Sequence, residues 1–366
     1  MNRMYFALVT SLLSSSCLRP TRARAERDLE VGTVDVGGVQ LRVVDGLATV
    51  RNAEPSQLTL WLSAPTVRIE ADVDAAAAPV WRIELQNCLP DLELRATGPG
   101  GEALAVTELA APLPTRKSFD VGLVPGAVEL RLTTADEAEL TPWRFAVMSD
   151  VQEAIDDVQD IYEKVNATPD LRYLLGAGDL TEQGSDGELA RFQRELESLD
   201  IPYYTTLGNH ELGQGSPPPY QDWFGRGSFS YAFRDVRFSM LDSASAMLDP
   251  LVYEWLDGWL DEGRDQVHVV AMHVPPIDPV GVRNGSFASR NEAAKLLKRL
   301  ADGGVDLTLY GHIHSYYSFE NAGIPAYVSG GGGAIPERFD DMGRHFLVVS
   351  VEPGVAIQRI DVVRVD

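Results

Sequence analysis

The sequence predicts an α/β fold, in which two packed β-sheets are covered by outer helices and a small all-β domain precedes them. Three observations predict it. Short β-forming segments crowd residues 30–140, strand and helix patterns alternate from residue 143, and the chain after residue 305 is mostly strand. A chain of 366 residues is long enough for two domains and a sizeable core.

The first domain, residues 30–140, is expected to be sandwich-like and to have a packing or positioning role, because no cluster of candidate ligands occurs in it. The acidic segment Asp136–Pro142 ends in proline and is the predicted linker to residues 143–366. Turn residues separate eight β-forming segments: Val31–Val36, Val39–Val44, Leu58–Leu62, Val67–Val73, Val80–Leu85, Leu92–Ala96, Ala103–Leu109 and Ala127–Leu132.

The second domain shows apolar runs and helical periodicity in alternation. Short apolar runs bounded by turn signals are typical of buried strands, and apolar residues at helical spacing predict amphipathic helices. The predicted strands are Phe145–Met148, Leu171–Leu175, Val267–Ala271 and Leu307–Tyr310. The predicted helices are Glu153–Val165, Gly187–Leu199, Tyr253–Leu260 and Asn291–Leu300.

The net charge of the chain restricts the kinds of molecule that it can bind. The formal net charge is −23, which repels nucleic acid and anionic membranes, so we expect no nucleic-acid partner. A small anionic substrate remains compatible with this charge, because bound divalent cations would dominate the local potential. The sequence does not determine the oligomeric state.

The N-terminal segment predicts export to the periplasm, the cell envelope or the medium. Arg3 precedes the apolar run Met4–Leu13, which suits a secretory signal and is too short to span a bilayer. Two processing sites are compatible with the sequence: cleavage after Ala25, giving a signal peptide of residues 1–25, or lipidation at Cys17. A lipid there would be the only membrane contact. Cys88 is then expected to be a small core residue.

Polar motifs follow the ends of the four predicted strands of the second domain and of a fifth β-forming segment, Thr205-Thr206-Leu207, at the edge where open α/β sheets bind their ligands. Side chains of Asp, Asn, Gln and His supply oxygen and nitrogen ligands for metal ions. The motifs are Ser149-Asp150-Val151-Gln152, Gly178-Asp179-Leu180, Gly208-Asn209-His210-Glu211, Met272-His273 and Gly311-His312-Ile313-His314.

This ordered set resembles the calcineurin-like metallophosphoesterase superfamily over roughly residues 144–362. The family pattern is Asp-x-His, Gly-Asp, Gly-Asn-His-Asp/Glu, a lone His and Gly-His-x-His, from which the chain departs where Gln152 replaces the first His. The resemblance implies an αββα four-layer sandwich that hydrolyses phosphoesters with two metal ions.

The resemblance also implies a set of metal ligands. Asp179 would bridge the ions, with Asp150, Gln152 and His314 completing the first site. The second site would be completed by Asn209, His273 and His312. Gln152 can ligate through its amide oxygen or hydrogen-bond a metal water, and both alternatives stay open. The expected ions are manganese, iron or zinc, and manganese is favoured because a neutral amide replaces an imidazole.

In the family the histidine at His210 acts as general acid while a metal-bridging hydroxide attacks phosphorus. Glu182 matches the carboxylate that orients this histidine, whereas Gln183 replaces a phosphate-binding Arg. Arg283 and Arg290, in the loop after His273, are candidate substrate-binding residues. We therefore expect a phosphodiesterase. The alternatives are a phosphomonoesterase of the same fold and a non-catalytic surface or periplasmic binding protein.

Overall fold

A computed structural model describes residues 20–213, 217–281, 285–337 and 341–365 of the chain. The apolar run of the predicted export signal and Cys17 lie outside these residues, as does Arg283. Among the described residues, no helix is long and apolar enough to cross a membrane. The first described element is helix α1, residues 20–28.

The first domain is a sandwich of two five-stranded sheets, ordered β1-β2-β5-β10-β7 and β3-β4-β6-β9-β8. Its strands are β1 (Thr33–Val36), β2 (Val39–Val43), β3 (Ala48–Glu54), β4 (Gln57–Leu62), β5 (Val67–Val73), β6 (Val80–Gln86), β7 (Glu93–Thr97), β8 (Val106–Leu109), β9 (Arg116–Gly122) and β10 (Gly126–Thr133). The predicted all-β domain is confirmed. The sequence did not predict β3 and β9, which carry many polar residues and form because β4 and β6 supply their hydrogen-bonding partners.

The second domain contains two further sheets, ordered β13-β12-β11-β20-β21 and β14-β15-β16-β17-β19-β18. Parallel pairing joins β11 to β12 and β12 to β13, and also joins β15, β16 and β17 in turn. The strands are β11 (Trp143–Met148), β12 (Leu171–Gly176), β13 (Tyr203–Thr205), β14 (Phe229–Phe233), β15 (Val236–Leu241), β16 (Val267–Met272), β17 (Leu307–Tyr310), β18 (Tyr316–Asn321), β19 (Ile324–Ser329), β20 (His345–Glu352) and β21 (Ala356–Arg364).

Helices cover the outer faces of both sheets, which confirms the four-layer αββα arrangement. They are α2 (Gln159–Asn166), α3 (Asp186–Glu195), α4 (Tyr220–Phe224), α5 (Pro250–Glu262) and α6 (Arg290–Asp302). Side chains that accept backbone N–H bonds fix where helices start: Ser185 caps α3, Asp249 caps α5 and Ser289 caps α6. The predicted helix Glu153–Val165 is divided, because residues 152–157 form a 3₁₀ segment before α2.

The two sheets of the second domain enclose one apolar core that continues into the first domain. Cys88 is fully buried in this core, as expected, and burial raises the pKa of its thiol to about 12. His268 is buried on β16, where its Nε2 lies 2.9 Å from the Ser239 hydroxyl. Burial lowers the pKa of His268 to about 3, so this histidine is neutral and serves packing.

Polar contacts fix the two domains to each other. The buried Asn87 side chain of the first domain donates to the carbonyls of Leu62 and Tyr203 at 2.8 Å and accepts from the Tyr203 N–H at 2.7 Å. Arg234 of the second domain pairs with Asp136 at 3.1 Å, within the predicted linker. The linker is therefore held in place by the domain that follows it.

Replacing Asn87 by glycine should lower the free energy of unfolding by about 2–4 kcal/mol, because it removes three buried hydrogen bonds. Glycine tolerates the backbone φ of +60° at this position, so the loss reports the side chain rather than backbone strain. Urea unfolding of the full chain measures it. Ser56→Gly, at φ +69° in a turn, is the matched control and should change stability little. Equal effects of the two variants would contradict the proposed role of Asn87.

Candidate metal centre

The candidate site lies where the carboxyl ends of the central strands of the two sheets meet. Asp150 and Asp179 follow β11 and β12, and Asn209 follows β13. His273 follows β16, and the segment containing His312 and His314 follows β17. Parallel strands bring their carboxyl ends to one edge of a sheet, which explains why motifs spread over 165 residues of sequence come together.

The predicted ligands form two overlapping clusters. Asp179, His273 and His312 offer ligand atoms that all lie within 4.8 Å of one another, and so do Asp150, Asp179 and His314. Asp179 is common to both clusters, which is the position that a bridging carboxylate requires. These described residues can therefore hold two metal ions side by side.

Lone pairs converge in the cluster around Asp179. His273 Nδ1 lies 2.8 Å from the Ala177 carbonyl oxygen and donates its proton there, so the neutral ring has its lone pair on Nε2. This Nε2 lies 3.0 Å from Asn209 Oδ1 and 3.1 Å from Asp179 Oδ2, both of which are acceptors. Three acceptors at such distances require a positive charge between them, which either a proton on Nε2 or a metal cation in its place supplies.

The same electrostatics shift the pKa values of the cluster. Burial lowers the pKa of His273, but the carboxylates of Asp179 and Asp150 outweigh burial and raise it to about 9. Burial also works against ionisation of Asp179, yet His273 and His210 hold the pKa of its carboxyl well below the usual range. The cluster therefore attracts positive charge strongly.

Gln152 lies beside the cluster formed by Asp150, Asp179 and His314. Its Nε2 donates to Asp179 Oδ2 at 2.9 Å and lies 3.1 Å from His314 Nε2. His314 Nδ1 donates to the Ile335 carbonyl at 2.7 Å, so its Nε2 is also held as an acceptor. Rotating the Gln152 amide by a half turn would direct its oxygen into the cluster, so direct ligation and a hydrogen-bonding role both remain compatible with the geometry.

Backbone strain is concentrated at the ligand positions. Asp150, Gln152, Asp179 and His312 have φ values of +63°, +49°, +52° and +69°, the left-handed region that non-glycine residues rarely adopt. Each such residue costs of order 1–3 kcal/mol and persists only where its surroundings fix it. The strain accompanies sharp turns directly after the strands.

Glu211 holds two of these turns together, a role that its position in the sequence did not predict. It is fully buried, and its carboxylate accepts from the N–H groups of Asp179, Leu180, Thr181 and Gly208 at 2.7–3.0 Å. The signal in the sequence was its position directly after Asn209-His210, as the acidic residue of the pattern Gly-Asn-His-Asp/Glu. Burial and the nearby Asp179 charge raise the pKa of Glu211 to about 7.

His210 lies beside the cluster without belonging to it, as the sequence predicted. Its Nε2 is 3.9 Å from Asp179 Oδ2, and its side chain is 28% exposed, so it faces the opening. Its Nδ1 lies 2.7 Å from the backbone carbonyl of Glu182 and 3.7 Å from the Glu182 carboxylate. The backbone carbonyl of Glu182 is thus the direct hydrogen-bond partner of His210, and the orienting role of the carboxylate, which lies within ion-pair distance, stays a prediction.

Of the two predicted substrate-binding arginines, Arg290 lies within the described residues, outside the lining of the cavity beside His210. Arg290 is exposed at the first residue of α6 and is not among the residues that line the cavity beside His210, while Arg283 lies outside the described residues. That cavity has a volume of about 360 Å³ and is lined by Glu182, Gln183, Asn209, His210 and Gly213. No arginine or lysine of the described chain lines it.

The aromatic residues after His210 pack locally. Phe224 is 1% exposed and stacks on Tyr220, and the ring of Trp223 lies 3.9 Å from the guanidinium carbon of Arg51. The four-glycine turn, residues 330–333, approaches the first motif closely, since the Gly332 N–H donates to the Ser149 carbonyl at 2.8 Å. Tyr220 and Phe224 therefore belong to the apolar core, whereas the glycine turn lies directly against the first motif.

Residues 144–316 match the calcineurin-like phosphoesterase family. This region contains β11 to β17 and every ligand of both clusters. The part of the chain that contains the candidate metal ligands is therefore the part that is similar to that family.

Individual relatives agree with this assignment. The chain is 27% identical over 161 residues to a 3′,5′-cyclic-nucleotide phosphodiesterase of Nostoc sp., covering 41% of this chain and 58% of that protein. It is 28% identical over 160 residues to the "Probable glycerophosphodiester phosphodiesterase GpdQ" of Arcobacter nitrofigilis, covering 40% and 57%. The chain thus spans less than two thirds of the length of these relatives.

A solved structure shares the fold. Purple acid phosphatase PPD1 from yellow lupin (Lupinus luteus) seeds matches with a TM-score of 0.53 at 13% identity, over 82% of this chain and 70% of that one. At this identity the likeness concerns the fold, and its coverage extends beyond residues 144–316 into the all-β domain.

Asp179→Asn should abolish loading of both metal positions, because it removes the one charge that the two clusters share. Elemental analysis after incubation with manganese and desalting measures the metal content per chain. His314→Ala should affect the first position most, and Asp200→Asn, on an exposed loop, is the control that should load like the wild type. Equal metal content in Asp179→Asn and the wild type would contradict the bridging role.

Proposed function

We propose that the protein is an exported metal-dependent phosphodiesterase that uses His210 as general acid. One observation carries the proposal: a carboxylate shared by two ligand clusters lies 3.9 Å from a half-exposed imidazole that is not itself a ligand. A binding protein needs no such imidazole beside its metals. The relatives' names, which describe hydrolysis of cyclic nucleotides and glycerophosphodiesters, support the same class of reaction.

Two metal ions bound at these clusters would polarise the phosphoryl group and lower the pKa of a bound water, and we propose manganese for both. The protein's own residues supply the remaining steps. Asn209 and His273 define one side of the phosphate position, and Asp150 and His314 define the other. His210 Nε2–H then donates a proton to the departing oxygen, while Nδ1–H stays bonded to the Glu182 carbonyl.

Among the residues that the structure describes, no arginine or lysine lines the cavity beside His210, which favours a diester over a monoester. A monoester dianion needs additional cationic groups, yet Gln183 occupies the position of the family's phosphate-binding Arg, and the cavity beside it contains Glu182. A diester carries a single negative charge, which two metal ions can balance. Its leaving alkoxide is a poor leaving group, so a positioned acid is useful.

Export remains part of the proposal on the basis of sequence alone. The segment with Arg3 and the apolar run Met4–Leu13 supports it. A periplasmic, secreted or lipid-anchored protein would meet phosphodiesters outside the cytoplasm. The net charge of −23 supports small substrates rather than nucleic acids.

His210→Ala should keep both metal ions bound and slow turnover by roughly 10²–10⁴-fold for substrates with poor leaving groups. The loss should shrink for activated leaving groups such as 4-nitrophenolate, which need no proton. Steady-state kinetics on a series of diesters with leaving groups of graded pKa measures this. A loss independent of the leaving group would exclude the general-acid role.

The variant Glu182→Gln tests whether the backbone carbonyl or the carboxylate of Glu182 orients His210. Since the Glu182 carbonyl is the direct partner of His210 Nδ1, the variant should retain activity within roughly fivefold, as expected for an exposed charge 3.7 Å away. A loss as large as that of His210→Ala would show that the carboxylate is the orienting group.

The choice of ester can be tested with matched substrates. The value of kcat/KM should be higher for bis(4-nitrophenyl) phosphate than for 4-nitrophenyl phosphate at equal manganese content. The two substrates share their leaving group, and the diester carries one negative charge fewer and a second 4-nitrophenyl group. A clear preference for the monoester, lost in Arg283→Ala or Arg290→Ala, would favour the phosphomonoesterase alternative. Absence of turnover with both substrates in manganese-loaded protein would favour a binding protein.

A further inference from the structure

We infer that helix α1 remains in the mature protein and that its residues Arg24 and Asp28 position the Asn209 and His273 side of the metal centre. Of the two processing sites compatible with the sequence, cleavage after Ala25 would remove most of this helix. The inference rests on the proposed metal centre but not on the proposed hydrolysis of phosphodiesters.

Arg24 forms a buried ion pair with the second domain. Its guanidinium donates to Asp242 at 2.7 and 3.2 Å and to the Ser245 hydroxyl at 3.0 Å. The side chains of Arg24 and Asp242 are only 3% and 7% exposed. Removing one partner of such a pair leaves the other charge buried without compensation, which proteins tolerate poorly. Ala25, the next residue, is 3% exposed in the core beneath sheet β14–β19 and α5.

Asp28 anchors the other end of the helix. Its carboxylate is 1% exposed and accepts from the N–H groups of Gly227 at 3.0 Å and Ser228 at 2.9 Å, and from the Gln221 amide at 3.3 Å. Arg22 adds a bond of 3.0 Å to Asp249, the residue that caps α5. A segment that makes these contacts is built into the domain rather than attached to its surface.

Two series of hydrogen bonds connect α1 to the segments that carry the candidate metal ligands. From Asp28, the Gly227 carbonyl accepts from the Thr206 hydroxyl at 2.7 Å, three residues before Asn209. The second series begins at Arg24, which is bonded to Asp242. The next residue, Ser243, accepts from the N–H of Val274 at 2.8 Å, and Val274 directly follows His273. The Asp242 N–H also donates to the Ser228 hydroxyl at 2.9 Å, and this bond connects the two series.

These contacts act on the two ligands whose lone pairs face each other. Asn209 Oδ1 and His273 Nε2 lie 3.0 Å apart, and small shifts of their loops would change the spacing that a metal ion needs. Arg24 and Asp28 reach neither the metal position nor a substrate, so they are positioning residues. Loss of α1 is expected to weaken metal binding at this side as well as stability.

The terminus of the exported chain tests retention directly. The full-length gene is expressed in an exporting bacterial host, and the mature protein is identified by intact-mass and N-terminal peptide mass spectrometry. We expect a chain that still contains residues 20–28. A mature protein that begins at Glu26 and binds manganese as tightly as the uncleaved chain would overturn the inference.

Full-length variants test the positioning role. Arg24→Ala should lower Tm by roughly 5–10 °C and weaken manganese affinity by about tenfold, as for other residues that support a metal ligand. Glu26→Ala is the control on the same helix: it removes only an exposed ion pair with Arg22, which contributes little, so both values should change far less than in Arg24→Ala. Calorimetry and manganese titration measure these effects without any assay of activity.

A compensating variant distinguishes positioning from general damage. Arg24→Met combined with Asp242→Asn removes both charges and should recover much of the lost Tm and of the lost manganese affinity. If Arg24→Ala lowers Tm while manganese affinity is unchanged, α1 stabilises the fold without positioning the ligands, and the inference is wrong in that part. If Arg24→Ala yields no folded protein, Arg24→Lys takes its place, because it keeps the charge and loses the two-point contact with Asp242; manganese affinity equal to that of Glu26→Ala would then contradict the positioning role.

Discussion

The buried carboxylate of Glu211 is the contact on which the metal centre depends. It accepts hydrogen bonds from four backbone N–H groups in two loops and from the Thr181 hydroxyl at 3.1 Å. Without it, these donors would be buried without partners, at about 1–3 kcal/mol each. Because the loops after β12 and β13 share this one acceptor, Asp179 and Asn209 are held next to each other. The ligand geometry therefore follows from a residue that binds no metal.

Close approach of these two loops also requires glycine at two positions. Gly178 has φ +89°, and a Cβ there would lie 2.7 Å from the Gly208 nitrogen. A Cβ on Gly208 would lie 2.1 Å from Asp179 Oδ1. The glycines thus permit the turn that places Asp179 in the left-handed region, and Glu211 stabilises it. The surrounding buried core offsets the cost of this strain.

The all-β domain and α1 support the same loops from behind. Thr49 and Ser63 of the first domain donate to the carbonyls of Gln221 and Phe224 in α4, at 3.1 and 2.8 Å. Asp28 of α1 contacts Gln221 as well, so three parts of the chain meet at the short helix that follows His210. The packing or positioning role expected for the first domain has a physical basis in these contacts.

The sequence by itself determined the class of fold and most of the residues that meet at the candidate metal centre, because apolar runs indicate buried strands and the motifs after them are local in the chain. Tertiary structure alone decided the remaining contacts. Glu182 offered a carboxylate, but the loop presents its carbonyl to His210. Arg24 falls within the predicted signal peptide, but in the structure it is bonded to Asp242, which lies 218 residues away in the sequence. Local periodicity carries no information about such distant pairs, since packing of the whole chain brings them together and makes their charges buried.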